Sequence, residues 1–261
     1  MKTVSEFKAR DIRVVLTDID GTLTQSGRLP ADSYKSLWQL ADAGLQVIPV
    51  TGRPAGWCEM IARLWPVHGV VGENGAFFFS LKEKKMERHF LLSGPARKEN
   101  RHQLKKIRQA VLASVQGSAI ASDQFSRLFD LAVDFSEDVP PLPARKIDQI
   151  VEIFHQHGAH AKVSNIHVNG WFGDYDKVST CQTYLKKEFK MTTAQMRKHC
   201  IFVGDSPNDE PMFEFFPHSF AVANIKDFLS RLKHKPTYVA KAAEGDGFVE
   251  VANRLLVLNA R

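Results

Sequence analysis

Asp18-Ile19-Asp20-Gly21-Thr22 follows the apolar run Ile12-Arg13-Val14-Val15-Leu16-Thr17. The run is rich in β-branched residues and stops near a glycine, so it reads as a buried strand that breaks into a turn with two carboxylates at its tip. Carboxylates this close repel, and a cation between them or a proton on one of them relieves the repulsion. A cation with one carboxylate makes an electrophile clamp and a nucleophile, while the other carboxylate is left to act as general acid and base. A solvated Asp-rich turn has the same local sequence. What the rest of the chain brings to this strand end decides between the two.

Downstream, Leu29-Pro30-Ala31-Asp32 leads into a helix over about 33–43, with Leu37, Leu40 and Ala41 on one face and Gly44 as its stop. A strand over 45–50 then delivers Thr51-Gly52-Arg53-Pro54. A helical crossover between two apolar strands makes them parallel, so Thr51 is expected beside Asp18. A third repeat, a helix over 55–64 and a strand over 69–72, delivers Glu73-Asn74-Gly75-Ala76. Ligands of open parallel sheets bind beyond the carboxyl ends of the strands, where these three motifs meet.

The pattern then changes. Phe77-Phe78-Phe79 and Arg88-His89-Phe90-Leu91 read as a hairpin, followed by a helix over 96–115 and strands over 118–121 and 128–135. After Val139-Pro140-Pro141-Leu142-Pro143 come a helix over 145–155 and strands over 160–163 and 166–171. This αββαββ order predicts a separate α+β unit over 92–172, inserted into a core formed by 1–91 and 173–261. The core resumes with a helix over 176–189 and the strand Cys200-Ile201-Phe202-Val203, which ends in Gly204-Asp205-Ser206-Pro207-Asn208-Asp209; a last helix covers 247–256. The expected fold class is α/β, a Rossmann-like parallel sheet core with an inserted α+β unit.

Composition narrows the function. The 261 residues are enough for two domains. Cys58, Cys181 and Cys200 are far apart and form no CxxC pair, which argues against a disulfide framework or a zinc site and for a reducing compartment. Met1 to Arg10 mixes charges of both signs, and no apolar stretch approaches the ~18 to 20 residues of a membrane span. A cytoplasmic protein with no membrane contact is expected. Net charge is +6, and Lys82 to Gly117 carries ten Lys or Arg against three Glu. No aromatic interleaving or nucleic-acid motif accompanies that stretch, so small anions, not nucleic acids, are the expected partners.

Asp18 with Asp20, Thr51, Lys177 at a helix start, and Asp205 with Asp209 fall at or beside the tips of one sheet. Hard oxygen donors without a His or Cys cluster point to Mg²⁺ rather than zinc. Singly, each residue has an ordinary explanation: Thr51 as a β-branched strand end, Lys177 as a solvated helix residue, Asp205 and Asp209 as an N-cap and a first-turn acid. Together and in order, DxDGT, the strand-end Thr, the Lys and GDxxND, they resemble the haloacid dehalogenase superfamily of phosphohydrolases. The insertion is similar to the type IIB cap of that superfamily, which includes Cof-like sugar phosphatases, sucrose-phosphate and mannosyl-phosphoglycerate phosphatases, and eukaryotic phosphomannomutases.

The resemblance implies roles. Asp18 would be the nucleophile, forming an aspartyl-phosphate and binding Mg²⁺. Asp20 would offer the metal its backbone carbonyl and use its side chain as general acid and base. Thr51 would hydrogen-bond a phosphoryl oxygen, Lys177 would neutralise the phosphate and the nucleophile, and Asp205 would complete the metal site. Asp209 would bind the metal through water or hold Lys177. Gly21, Thr22, Gly52, Asn74 and Asn208 would contact the substrate; Arg53 is open to two roles, reaching a substrate anion or pairing with an acid of the core. Asn165, His167 and Asn169 alternate along a strand that re-enters the core and would read the substrate from the cap. The expected activity is hydrolysis of a small, sugar-like phosphate monoester. A phosphosugar mutase and a non-catalytic phosphate-ligand binding protein are the alternatives, and the oligomeric state is open.

Overall fold

A computed structural model describes residues 1–164 and 166–259. After a short edge strand β1 (Lys2–Thr3), the chain enters β2 (Val14–Thr17), whose four residues are all buried, the continuous apolar run of a strand covered on both faces. Helix α1 (Ala31–Asp42) crosses over to β3 (Gln46–Pro49), and α2 (Ala55–Leu64) crosses to β4 (Val70–Gly72). Strands β5 (Phe77–Lys82) and β6 (Lys85–Phe90) form a hairpin antiparallel to β4. A parallel bridge between Val50 and Val71 ties this small sheet to β3.

The insertion follows in the expected order: α3 (Gly94–Ser114), β7 (Ala119–Ile120), β8 (Leu131–Asp134), α4 (Ala144–Gln156), β9 (His160–Val163) and β10 (His167–Trp171). Its strands form an antiparallel sheet in the order β7-β8-β10-β9. Ile107 and Val111 of α3 and Ile150 and Phe154 of α4 pack on Leu131, Val133 and Val168, a hydrophobic cluster of its own. Side chains alternate across a strand, so Val168 faces the helices while His167 and Asn169 project from the other side. Gly170 lets the two layers close, because a Cβ there would collide with the Phe154 ring.

The chain returns through α5 (Lys177–Phe189), α6 (Thr193–His199), β11 (Cys200–Gly204), α7 (Glu210–Phe215), β12 (Ser219–Ala221), β13 (Tyr238–Val239) and α8 (Glu244–Asn259). The core sheet runs β1-β13-β12-β11-β2-β3 with every pair parallel. Val15, Val47, Ile201 and Phe220 pack on one side against Leu37, Ile61 and Phe248; Val14, Leu16, Ile48 and Phe202 pack on the other against Tyr184, Leu185 and Met212. The α/β class with an inserted αββαββ segment is thus observed. No helix among the described residues is long and apolar enough to cross a membrane.

One expected element is shorter than its sequence suggests. The strand expected over 128–135 begins only at Leu131. The N–H groups of Leu128, Phe129 and Asp130 donate to the buried carboxylate of Glu73 instead of to a neighbouring strand.

Candidate active site

The parallel register brings the carboxyl ends of β2, β3 and β11 side by side. The Asp18 N–H donates to Val203 O at 2.9 Å, and the Thr51 N–H donates to Val71 O at 2.9 Å, so both residues sit on backbone fixed by the sheet. Lys177 is the first residue of α5; Asp176 caps that helix by accepting the Ser179 N–H at 2.7 Å. The buried Lys177 ammonium donates to Asp18 Oδ1 at 2.9 Å and to Asp209 Oδ1 at 2.8 Å. Asp209 Oδ2 accepts the N–H of Asp205 at 3.1 Å, so both of its oxygens serve the lysine and its own turn. Asp205 Oδ2 accepts from the Asn224 amide at 2.9 Å.

Asp18, Asp205 and Asp209 each present a buried carboxylate oxygen, all within 4.8 Å of one another. Burial pushes the Asp18 carboxyl well above the ordinary range; Lys177 opposes this, and Asp209, Asp205 and Asp20 add to it. Burial also works against charge on Lys177, but Asp18 and Asp209 outweigh it and hold the ammonium protonated. Three acids against one ammonium leave an excess of negative charge in a dry, all-oxygen donor set, which fits a hard divalent cation.

Above the strand ends lies a cavity of about 320 Å³, lined from the core by Asp18, Asp20 and Arg53 and from the insertion by Glu137, His167 and Asn169. Gly21, Gly52, Asn74 and Asn208 also line it. Thr22 and Thr51 are buried and do not line it; the Thr51 hydroxyl accepts the Arg53 N–H at 3.0 Å. Asn165 lies outside the described residues. Of the two roles open to Arg53, the structure shows pairing with acids. Its Nε and Nη2 grip Asp20 at 3.0 and 2.8 Å, and its Nη1 meets Glu137 at 3.1 Å. The Glu137 carboxylate also lies 2.9 Å from His167 Nε2, and Asn169 donates to Asp130 at 2.9 Å.

Four of these residues escaped the sequence reading. Glu137 sits in a charged loop without a motif. Asn224 follows β12, where the strand-tip rule that picked out Asp205 would have found it; its amide also donates to Gly21 O at 3.1 Å. Arg127, almost fully buried, donates to Asp123, Asp130 and the Gly52 carbonyl. Glu73 belongs to a strand-tip motif, but its carboxylate turns toward the insertion; burial and Asp130 raise its carboxyl to about 8, against Arg127 and the N–H donors.

Comparison with known proteins agrees with this arrangement. The sequence model described as haloacid dehalogenase-like hydrolase matches residues 15–126 and 195–251. A phosphoglycolate phosphatase of Nitrosopumilus maritimus is 26% identical, covering 93% of this chain and 96% of the relative. One of Methanobrevibacter smithii is 26% identical over 95% of this chain and all of the relative. Among solved structures, Thermoplasma acidophilum 0175 superposes with a TM-score of 0.73 at 18% identity, covering 95% of this chain and 99% of its own. The sucrose-phosphatase of Synechocystis sp. PCC6803, solved with sucrose and phosphate, gives 0.64 at 15% identity, covering 94% and 98%. With that sequence model spanning both arms of the core, the chain belongs to the haloacid dehalogenase-like hydrolases, as an enzyme of their phosphatase kind.

Proposed function

We propose that the protein hydrolyses a small phosphate monoester with an uncharged, hydroxyl-rich leaving group, using Mg²⁺ and an aspartyl-phosphate on Asp18. The observation that carries the substrate class is charge pairing in the cavity. Arg53 is matched by Asp20 and Glu137, Arg127 by Asp123 and Asp130, and His167 by Glu137. Among the described residues that line the cavity, no cation is left over for a carboxylate on the leaving group. Ser136, Ser164, His167 and Asn169 supply the polar groups that suit hydroxyls.

In this reading Asp18 attacks phosphorus, the bond from phosphorus to the leaving oxygen breaks, and that oxygen takes a proton from Asp20. Asp20 then takes a proton from water as the water attacks the aspartyl-phosphate, releasing phosphate and restoring Asp18. Lys177 offsets the charge that develops on the phosphoryl oxygens, Asp209 keeps Lys177 aimed, and the buried Thr51 hydroxyl, which accepts the Arg53 N–H, holds the turn beneath the phosphoryl group. Mg²⁺, held by Asp18, the Asp20 carbonyl and Asp205, would neutralise the phosphoryl group. Residues 92–172 act as the cap that covers the leaving group, with Asn74 and Asn208 at the rim of the site.

The test is phosphate release from a panel of sugar and polyol phosphates, phosphoglycolate and an aryl phosphate, with Mg²⁺ and with chelator. Mg²⁺-dependent turnover with kcat/KM higher for a sugar or polyol phosphate than for phosphoglycolate is expected. A preference for phosphoglycolate, the substrate in the relatives' names, refutes the charge-pairing argument. Replacing His167 and Asn169 together by Ala should reorder the sugar phosphates while changing the aryl phosphate little.

A further inference from the structure

Glu137 belongs to no sequence motif, yet through Arg53 it links the insertion to the Asp20 carboxylate of the core. Its backbone is fixed first. Asp134, at the end of β8 and fully buried, accepts the N–H groups of Ser136 and Glu137 on Oδ1 and that of Asp138 on Oδ2, each at 2.8 Å. From this turn the carboxylate reaches across the cavity, taking Arg53 on Oε1 and His167 on Oε2. Hydrogen bonding from His167 and the charge of Arg53 outweigh burial and hold it down at about 2, so it meets Arg53 as an anion.

Arg53 is held on three sides. Glu137 takes one edge, Asp20 the other, and the Trp57 ring lies against the guanidinium at 4.5 Å from its centroid. A planar fork fixed this way has one orientation, and Asp20, bound to it through both oxygens, shares that orientation. A general acid must be aimed at the leaving oxygen within a fraction of an ångström.

We propose that Glu137 is a positioning residue: through Arg53 it aims the Asp20 carboxyl at the leaving-group oxygen, and it does so only while the insertion covers the cavity. The idea rests on the phosphatase reading above. If the insertion lifts, Glu137 leaves with it, Arg53 loses an anchor, and Asp20 loses its aim. Leaving-group protonation is then confined to the covered site, where bulk water is excluded. A simple electrostatic latch would do less. It would change how often the cavity is covered, and so slow every substrate alike.

The experiment compares wild type with Glu137→Gln on a hexose 6-phosphate and on p-nitrophenyl phosphate, then repeats both in an Asp20→Asn background. Alkyl leaving groups need the proton; p-nitrophenolate hardly does. The expected result is a loss of kcat/KM at least about tenfold greater for the hexose phosphate than for the aryl phosphate, within the range a general acid supplies. That excess should vanish when Asp20 is already Asn, because Glu137 then has nothing to aim. Equal losses on both substrates, or an excess that survives in the Asp20→Asn background, overturn the proposal. Wild-type turnover of the aryl phosphate reports separately on the phosphatase reading: if it is absent, that reading falls and this one with it.

Discussion

Asp18→Asn should abolish turnover and, without divalent cations, make the protein more stable. In Asp18, Asp205 and Asp209, three buried carboxylate oxygens lie within 4.8 Å of one another. At an effective dielectric constant of about 20, each such contact with Asp18 costs about 3 to 4 kcal/mol. The Lys177 ammonium at 2.9 Å returns about 6 kcal/mol on the same scale. With Asp18 ionised, repulsion would exceed attraction by roughly 1 kcal/mol before the cost of burying its charge is added. The wild type meets this strain by the upward shift of the Asp18 carboxyl, which itself costs folding free energy at neutral pH. Asn keeps a carbonyl oxygen for Lys177 while removing the charge, so a gain of about 1 to 2 kcal/mol is expected. Urea denaturation in chelator, followed by tryptophan fluorescence, measures it. Millimolar Mg²⁺ should reverse the order, because a cation that binds only the folded state stabilises the wild type more than the variant. Lys177→Met is the counterpart of opposite sign: it leaves the acids uncompensated and should cost about 3 to 5 kcal/mol in chelator. If Asp18→Asn destabilises the chelated protein, or if Lys177→Met does not, the charge argument is wrong.

Gly75 has φ +108°, and a Cβ there would run into the backbone carbonyl of Asp176, next to Lys177. Gly75→Ala should therefore cost about 2 kcal/mol or more in urea denaturation and lower kcat by displacing Lys177; a change below about 0.5 kcal/mol would show that the approach is not tight. The Glu137 carboxyl is held at about 2, below its ordinary 4.5, first by the His167 hydrogen bond and then by the charge of Arg53, against burial. A carboxyl lowered in the folded state adds stability above its unfolded value, and that stability is lost as pH falls from about 4.5 toward 2. After discounting for its partial exposure, the advantage of wild type over Glu137→Gln should shrink by about 1 kcal/mol between pH 5 and pH 3; a constant difference would mean that the ion pairs contribute no net stability.

The core was legible because each of its signals is local. Val14 to Thr17 reads as a doubly covered strand from four consecutive residues, and the crossover length makes the next strand parallel. The position of Thr51 beside Asp18 then follows from topology. Lys177 at the start of α5 was legible for the same reason, since Asp176 caps the helix whose first residue it is. The beginning of β8 was not. Nothing in Leu128-Phe129-Asp130 says that a carboxylate more than fifty positions earlier takes their N–H groups, and strand propensity alone runs the strand through them.

The same distinction explains why the leaving-group half of the site could not be read. A catalytic carboxylate at a strand tip is placed by the pleat and register of one sheet, which periodicity encodes. Arg53 shows how much more its electrostatic state requires. Whether it offers a free cation to a substrate depends on Glu137, which is positioned by Asp134, on a strand of another sheet. Arg127 likewise appears in the sequence as one more basic residue, but Asp123 and Asp130 cancel it inside the fold. Charge counting along the chain points to an excess of cations and hence to an anionic partner. In the reading proposed above, counting within the cavity reverses that inference for the leaving group, because long-range pairing consumes the cations that line it. Substrate charge is therefore a property of the assembled interface between core and insertion, and substitutions at Glu137 or Asp123 should alter it more readily than changes in the motifs that carry the chemistry.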